Sequence, residues 1–304
     1  MLSLRIIRMW QEKFYARSKK TRENSANLVC TKTCAEMRKF MELKDKKLFL
    51  FDIDGTLALG NDLFDGAKEL IELLYQTGRA VYYTSNNSTR SQKDYVKYFA
   101  QWGIETREEE FLTAGYMGIL YCSRHLKGRK VYLIGTPSYA QSLREAGVWV
   151  TEQYEEDVAC VLVAFDTTLH FGKLETACRL LQNKKVLFVA TNPDLCCPVS
   201  FGAVPDCGSI CMMLQNATGR TPLYLGKPAA DIAEVCRKVS GCTRKETVLV
   251  GDRIYTDMLC AANAGIDSVL VLTGEATRED AQKGETKVTY VMDSVKDLIS
   301  AVRC

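Results

Sequence analysis

Short apolar runs recur along the chain from about residue 46 and alternate with helical patterns. Two amphipathic patterns predict helices at Ala67–Gln76 and Ala229–Ser240, where apolar residues return every three or four positions. Strands that alternate with helices indicate an α/β fold, in which a parallel sheet carries helices on both faces. The runs with the length and composition of buried strands cover residues 47–51, 80–84, 130–134, 159–165, 186–190, 247–250 and 268–272.

Clusters of polar residues follow four of these predicted strands at the point where each strand ends. Ligands of open α/β sheets bind outside the carboxyl ends of the strands, so these clusters are candidates for a functional site. In sequence order they are Asp52–Asp54, Thr84–Asn87, Thr191–Asp194 and Gly251–Arg253.

Asp52 and Asp54 indicate a site that binds a cation, because two acids lie two residues apart directly after an apolar strand. Residues i and i+2 of an extended segment can approach the same small volume, and two nearby acids repel each other unless a cation or a shared proton intervenes. A set of oxygen ligands suits Mg²⁺, and Asp252 would complete its coordination from a second strand end. We therefore predict Mg²⁺ as the cofactor.

The residues around this pair indicate that the ligand is a phosphate. Gly55 permits close approach of the backbone, and Thr56 offers a hydroxyl, which together fit a turn that wraps an anion with its N–H groups. A phosphate-binding site typically combines acids, a divalent ion, hydroxyl donors and a lysine, and this chain offers that combination. The other predicted phosphate-binding residues are Ser85, Asn86, Asn87 and Lys227.

Each of these features also has an ordinary structural explanation. A lone DxDGT can be a solvated turn, a Ser-Asn-Asn run can cap a helix, and an exposed lysine needs no function. Their order along the chain and their placement at strand ends favour the functional interpretation, because four suitable loops in the right order rarely arise by chance.

Composition argues against a membrane-spanning protein and separates the first 40 residues from the rest. The 304-residue chain is 47% hydrophobic, yet no uninterrupted apolar run reaches the length of a membrane span. Residues 1–40 hold 10 Lys and Arg against 3 Glu, whereas the remaining chain holds 30 basic and 34 acidic residues. This basic segment is open to three interpretations: a nucleic-acid-binding arm, a targeting peptide, or a dispensable extension before an alternative start at Met41.

The 13 cysteines favour a reducing compartment and thus a cytoplasmic protein, because several fall inside predicted helices and strands, where a thiol acts as a small hydrophobe. The close pairs in Cys30–Cys34 and Cys207–Cys211 are weak indications of zinc, since the chain has no CxxC pair and only two histidines. We expect a surface or packing position for both histidines, His125 and His170.

The motifs resemble those of the haloacid dehalogenase-like phosphohydrolase superfamily, over about residues 44–300. The resemblance to its four motifs is carried by DIDGT at 52–56, Ser85, Lys227, and Gly251-Asp252 together with Asp257. More narrowly, the chain is similar to the branch of NagD and the p-nitrophenyl phosphatases. That similarity is carried by TSNNSTRS (84–91), ATNPD (190–194), GRTPLYLGKP (219–228) and GDRIYTD (251–257).

The resemblance implies catalytic and metal-binding roles. Asp52 would be the nucleophile that forms an aspartyl-phosphate, and Asp54 would be the general acid and then the base. Dehalogenases lack the second acid, so Asp54 argues against dehalogenation. Mg²⁺ would lie between Asp52, the backbone carbonyl of Asp54, and Asp252. Thr56 and Asp257 are expected to support these catalytic and metal-binding residues.

The same resemblance implies phosphate contacts from Ser85, Asn86 and Asn87, and it implies that Lys227 holds both the nucleophile and the phosphate. It also implies a Rossmann-like core at 44–120 and 206–304, with an inserted α/β cap at 121–205 and a basic extension at 1–43. The loop after the predicted strand 186–190 should face the site. Some relatives carry an aromatic residue or a histidine in that loop, where this chain has two thiols, so no substrate is assigned from those relatives. The candidate substrate contacts are Asn192, Asp194, Leu195, Cys196 and Cys197.

We predict a Mg²⁺-dependent phosphatase that hydrolyses a small phosphorylated metabolite and has no nucleic-acid or membrane partner. The oligomeric state is left open, and a homodimer is one option because caps of this type often carry a dimer surface in relatives. Two alternatives stay open. A phosphotransferase or mutase would use the same fold, and phosphate release without an acceptor would count against it. A nucleic-acid-binding protein with a vestigial site is motivated only by residues 1–40, which carry few aromatic side chains for stacking.

Overall fold

The computed structural model describes residues 42–199, 201–284 and 286–303. Two parallel sheets and their helices account for most of this part of the chain. The strands are β1 (Leu48–Phe51), β2 (Ala58–Leu59), β3 (Asp62–Leu63), β4 (Ala80–Ser85), β5 (Phe111–Thr113), β6 (Lys130–Ile134), β7 (Trp149–Thr151), β8 (Val158–Val163), β9 (Leu187–Ala190), β10 (Cys196–Val199), β11 (Gly202–Pro205), β12 (Leu223–Tyr224), β13 (Thr247–Gly251), β14 (Asp267–Val271) and β15 (Tyr290–Met292).

Helices connect these strands and cover the sheets. They are α1 (Ala67–Gln76), α2 (Gln92–Gln101), α3 (Ala114–His125), α4 (Pro137–Glu145), α5 (Phe171–Leu181), α6 (Cys207–Thr218), α7 (Asp231–Ser240), α8 (Leu259–Ala264), α9 (Arg278–Lys283) and α10 (Val295–Arg303).

The first sheet has six parallel strands in the order β15-β14-β13-β1-β4-β5. Its strand β1 reads LFLF and is buried at every position, as expected for a parallel strand that is covered on both faces. Leu50 pairs with Leu249 of β13 on one side and with Tyr82 of β4 on the other. The carboxyl ends of β1, β4 and β13 therefore meet at one edge of the sheet.

Amphipathic helices close this sheet. In α1, the residues Leu70, Ile71 and Leu74 recur at helical spacing and are all buried. They belong to the same apolar core as Phe49 and Phe51 of β1. Burial of such a face, rather than helix propensity alone, is what stabilises a ten-residue helix.

The second sheet has five parallel strands in the order β12-β9-β8-β6-β7. Strand β8 reads VACVLV and is buried at all six positions. Helix α6 packs on this sheet through Cys207, Ile210, Cys211 and Leu214. A small antiparallel hairpin, β10-β11, lies between β9 and α6 in the chain.

The predicted α/β fold with parallel sheets is confirmed, and all seven predicted strands occur within two residues of their predicted ends. Helix α1 has its predicted bounds, and α7 begins two residues later than predicted. The sequence did not predict the short strands β5, β7, β12 and β15, because two or three residues are too few to show a period.

One predicted boundary differs from the structure. The sequence assigns residues from 206 onward to the core, but α6 packs on the second sheet and β12 pairs with β9, with Leu223 opposite Val189. The second sheet therefore extends to Tyr224. The basic extension predicted at 1–43 lies, up to residue 41, outside the described residues.

Across the described ranges, the longest apolar helices fall short of what a bilayer span requires.

Candidate active site

Three buried carboxylates lie together at the carboxyl edge of the first sheet. Asp52 follows β1 directly and Asp252 follows β13, so the pairing of these two strands brings the acids side by side. Asp257 reaches them from a π-helical turn at Ile254–Met258, a rare geometry that is common at functional sites. Oxygens of the three carboxylates all lie within 4.8 Å of one another. We call this group the carboxylate cluster.

Lys227 supplies the cation that contacts this cluster. Its Nζ donates to Asp52 Oδ1 at 2.5 Å, to Asp257 Oδ1 at 2.6 Å and to the backbone carbonyl of Thr84 at 3.1 Å. The lysine is only 1% exposed. Burial alone would lower its pKa, but the carboxylates of Asp257 and Asp52 raise the pKa above its usual value, so Lys227 stays protonated.

The carboxylates carry more negative charge than this single lysine neutralises. Burial raises the pKa of Asp52 well above its usual value, although the ammonium of Lys227 opposes the shift. Burial, with the nearby charge of Asp257, raises the pKa of Asp252 to about 6. A buried, all-oxygen set of this kind fits a hard divalent cation such as Mg²⁺, whose charge would offset that repulsion.

Asp252 is fixed on several sides. Its Oδ1 accepts a hydrogen bond from Thr56 Oγ1 at 3.4 Å, and its Oδ2 accepts one from the backbone N–H of Glu275 at 2.9 Å. A Cβ at Gly274 would clash with Asp252 Oδ2, so only glycine leaves room for the carboxylate there. Thr56 thus contacts Asp252, and its predicted supporting role in the reaction stays a prediction.

Asp54 lies in the same cavity but outside the carboxylate cluster. It is partly buried, and burial raises its pKa. A carboxyl group that retains a proton close to an ionised neighbour has the property required of a general acid. Asp257, which the sequence predicts only as support, is a full member of the carboxylate cluster and a direct partner of Lys227.

Ser85 and Asn87 lie at the end of β4 and line the cavity. Ser85 Oγ accepts from the backbone N–H of Asn87 at 3.1 Å and from Tyr95 Oη at 3.3 Å. Asn87 Oδ1 accepts from the N–H and the hydroxyl of Thr89, at 3.0 and 2.7 Å, so this side chain also forms the turn that leads into α2.

Asn86 makes protein contacts with both ends of its amide. Oδ1 accepts the backbone N–H of Lys227 at 2.9 Å, while Nδ2 donates to the carbonyl of Lys227 at 3.0 Å and to Asp194 Oδ2 at 2.8 Å. The sequence predicts that Asn86 binds phosphate. In the structure Asn86 lines the cavity and its side-chain amide holds the backbone of Lys227, and phosphate binding by this residue stays a prediction.

The loop after β9, residues 191–195, reaches the cavity from the second sheet, and we call it the β9 loop. Asp194 and the following Cys196 and Cys197 line the cavity, and their contact with substrate stays a prediction. Asn192 is fully buried and donates to Asp194 Oδ2 at 3.1 Å. Leu195 is half exposed and is not part of the lining. Burial raises the pKa of Cys197 to about 12, so this thiol is a poor nucleophile.

Sequence reasoning missed three residues of the lining: Arg253, Thr256 and Asp206. Arg253 and Thr256 fall inside the GDRIYTD stretch, so their closeness to Asp252 was a usable signal. Asp206 had no such signal, because only the hairpin β10-β11 brings it back to the β9 loop. Burial raises the pKa of Asp206 to about 6.

Neither histidine belongs to this cavity, in agreement with the expected packing or surface roles. His125 ends α3 and stacks near the ring of Tyr121, and His170 precedes α5. Of the cysteine pairs considered for zinc, Cys207 and Cys211 are buried in the apolar core of the second sheet, while Cys30 and Cys34 lie outside the described residues.

Comparison with known proteins identifies relatives of this chain along most of its length. A family model described as haloacid dehalogenase-like hydrolase matches residues 49–149, and a second model of the same kind of hydrolase matches residues 224–298. The acid sugar phosphatase of Staphylococcus aureus is 32% identical over 260 residues, which is 86% of this chain and 98% of that protein.

Solved structures of relatives have the same fold. The 4-nitrophenylphosphatase of Thermotoga maritima is 35% identical, with a TM-score of 0.80 over 86% of this chain and 98% of its own. The glycerol phosphate phosphatase of Mycobacterium tuberculosis, solved in complex with magnesium, is 25% identical, with a TM-score of 0.78 over 85% of this chain and 78% of its own.

Proposed function

We propose, from the premise that this chain belongs to the haloacid dehalogenase-like hydrolases and to their branch of NagD and the p-nitrophenyl phosphatases, that it is a Mg²⁺-dependent phosphatase of small phosphorylated metabolites. The observation that carries the proposal is the position of Asp52. Its carboxylate is held by Lys227 at 2.5 Å within the carboxylate cluster, and Asp54 lines the same cavity.

In the first step, a carboxylate oxygen of Asp52 attacks the phosphorus of the substrate. A bond forms between that oxygen and phosphorus, and the bond from phosphorus to the leaving alcohol oxygen breaks. Asp54 donates its proton to this oxygen, a role that suits a carboxyl group whose pKa burial has raised. The products are the free alcohol and an aspartyl-phosphate.

In the second step, the ionised Asp54 accepts a proton from water, and the water oxygen attacks the phosphorus of the aspartyl-phosphate. The bond between phosphorus and the Asp52 oxygen breaks. Inorganic phosphate leaves, Asp52 is again a carboxylate, and Asp54 again carries a proton, so both groups return to their starting state.

The surrounding residues hold the reacting groups in place. Lys227 orients Asp52 and offers positive charge to the transferring phosphoryl group, and Ser85 offers a hydroxyl at the neighbouring strand end. Asp52 and Asp252, with the backbone carbonyl of Asp54, are the proposed ligands of Mg²⁺, and Asp257 lies close enough to assist them. The ion, when bound, neutralises charge that develops on the phosphoryl oxygens.

The second sheet and its helices are the proposed cap. Asp194, Cys196 and Cys197 contribute to the cavity wall from that side, which would shield the aspartyl-phosphate from bulk water and contact the leaving group. A homodimer and a cytoplasmic location stay predictions, the first from the resemblance and the second from the cysteine content.

The proposed function is tested by measuring phosphate release from a panel of phosphorylated metabolites, with and without Mg²⁺. The panel contains sugar phosphates, glycerol phosphate, phosphoglycolate, pyridoxal phosphate and nucleoside monophosphates, with 4-nitrophenyl phosphate as a general substrate. We expect Mg²⁺-dependent release from at least one class without any added acceptor. Release only in the presence of a second sugar would indicate a phosphotransferase, and no release from any compound would contradict the proposal.

A further inference from the structure

The β9 loop holds a buried carboxylate that the proposed reaction does not use. Asp194 is 3% exposed, and its Oδ2 accepts hydrogen bonds from Asn86 Nδ2 at 2.8 Å and Asn192 Nδ2 at 3.1 Å. Within the described ranges its Oδ1 accepts no hydrogen bond, and Arg253 Nη1 lies 3.8 Å from it. A buried carboxylate is unfavourable unless partners satisfy it, so the two amide groups and the charge of Arg253 stabilise this one.

The segment that carries Lys227 is paired with the second sheet. Strand β12 lies beside β9, and the pairing continues past both strands: the N–H of Leu225 donates to Ala190 O at 3.0 Å, and the N–H of Gly226 donates to Thr191 O at 2.6 Å. Lys227 is the next residue. The ammonium that contacts Asp52 in the first sheet therefore extends from a backbone that the second sheet positions.

Asn86 joins that backbone to the first sheet. Its amide forms two hydrogen bonds with the main chain of Lys227, at 2.9 and 3.0 Å, and its Nδ2 is shared with Asp194. The fit is tight, because a Cβ at Gly226 would lie 2.7 Å from Asn86 Oδ1. Asp194 and the main chain of Lys227 together therefore fix how the amide of Asn86 is oriented.

We propose that Asp194 is a positioning residue: through Asn86 it holds the ammonium of Lys227 against Asp52. The position of the β9 loop is thereby coupled to that of the nucleophile. This inference rests on the proposed function. Without the carboxylate, the amide of Asn86 loses an acceptor and can rotate, and its two bonds to the main chain of Lys227 weaken. The ammonium then moves relative to Asp52, which lowers the rate of the chemical step and leaves substrate affinity nearly unchanged.

A double-mutant cycle tests this route of action. The variants are Asp194→Ala, Asn86→Ala and the double variant, assayed with 4-nitrophenyl phosphate and a sugar phosphate at saturating Mg²⁺. We expect Asp194→Ala to lower kcat about 10- to 100-fold, because a displacement of about 1 Å has effects of this size. KM should stay within about twofold for both substrates, and the double variant should match Asn86→Ala within about twofold, because coupled residues are not additive.

The matched control is Asp157→Ala, which removes an exposed carboxylate of the second sheet that pairs with Lys130 at 2.9 Å, and we expect wild-type kinetics. Losses in kcat that multiply in the double variant would overturn the proposal. So would a raised KM for the sugar phosphate alone, since that would assign Asp194 Oδ1 to a substrate hydroxyl. If thermal melting shows that Asp194→Ala is unfolded, Asp194→Leu, which fills a similar volume and offers no acceptor, replaces it in the same cycle under the same criteria.

The wild-type enzyme and Asp52→Asn separate this inference from the proposed function. An inactive wild type would overturn both. An active wild type, an inactive Asp52→Asn and additive losses in the cycle would overturn only the role of Asp194.

Discussion

The two sides of the cavity differ in how their charges are satisfied. On the first sheet, Lys227 makes direct ion pairs with two members of the carboxylate cluster, and Asp252 accepts from Thr56 and a backbone N–H. On the side of the second sheet, one oxygen of Asp194 accepts no hydrogen bond from the described residues, and its ion-pair partner Arg253 lies 3.8 Å away.

This difference separates the reacting groups from the hairpin β10-β11. The first sheet fixes the reacting groups at rigid strand ends, where small displacements are costly. The second sheet presents a loop and a hairpin, whose tip residue Phe201 is 81% exposed, and whose thiols at Cys196 and Cys197 border the cavity. Changes on the first side should therefore alter kcat for every substrate, and changes in the hairpin should alter the ranking of substrates.

Among residues other than the nucleophile, replacing Lys227 by Met should give the largest loss of turnover. The variant keeps the length of the side chain but removes the ammonium between Asp52 and Asp257, and we expect kcat to fall about 100- to 1,000-fold. The control is Lys47→Met, at an exposed lysine that pairs with Glu246 beside the same sheet. Turnover within about threefold of wild type would show that the lysine is not part of the reaction.

Replacing Gly274 by Ala tests the metal-binding side of the carboxylate cluster. The new Cβ would displace Asp252 Oδ2, so the Mg²⁺ concentration for half-maximal activity should rise about tenfold or more. The control Gly172→Ala meets only the His170 ring, at 3.3 Å, and should leave the Mg²⁺ dependence unchanged. The same Mg²⁺ dependence in both variants would contradict the proposed role of Asp252.

Asp206 should make stability depend on pH. Its pKa is about 6 in the folded protein because burial favours the neutral acid, whereas an unfolded aspartate titrates near its ordinary, lower value. The stabilisation is therefore complete below the unfolded pKa and is lost as the pH rises through about 6. At pH 8, Asp206→Asn should be more stable than wild type by about 1–2 kcal/mol.

Urea unfolding of wild type and Asp206→Asn at pH 4, 6 and 8 measures this difference. The advantage of the variant should grow from pH 4 to pH 8, and the asparagine oxygen can still accept the hydrogen bond from Asn192 that Asp206 receives. A difference in stability that does not change with pH would show that folding leaves the pKa of Asp206 unchanged.

Replacing Cys197 by Ser should have the smallest effect. Since burial keeps this residue in its thiol form, we expect kcat for 4-nitrophenyl phosphate within about twofold of wild type, and changes of about tenfold at most in the relative kcat/KM of different sugar phosphates. Cys178→Ser, on α5, is the control outside the cavity. Loss of turnover with every substrate would place Cys197 in the catalytic machinery. It would contradict the expectation that changes in the hairpin alter only the ranking of substrates.

The sequence predicts the first sheet's side of the cavity better than the second sheet's side for a physical reason. Asp52 and Asp252 directly follow apolar strands, so their positions depend on local pattern and on the rule that parallel strands end at one edge. The contact of Asn86 with Lys227 and Asp194 depends instead on how two sheets pack, and no local pattern encodes that distance. For the same reason the sequence did not predict the pairing of β12 with β9. The first sheet's domain was therefore expected to begin again at residue 206, whereas the second sheet extends to Tyr224.

The measurement that tests the central claim most directly is hydrolysis of 4-nitrophenyl phosphate by wild type and Asp52→Asn in the presence of Mg²⁺. The two proteins differ only in that an NH2 group replaces one carboxylate oxygen of Asp52. Thermal melting verifies that both proteins are folded. We predict turnover by the wild type and a loss of at least about 10,000-fold in the variant, because removal of a covalent nucleophile has effects of this size. Mg²⁺-dependent hydrolysis retained by Asp52→Asn would contradict the assignment of Asp52 as the nucleophile.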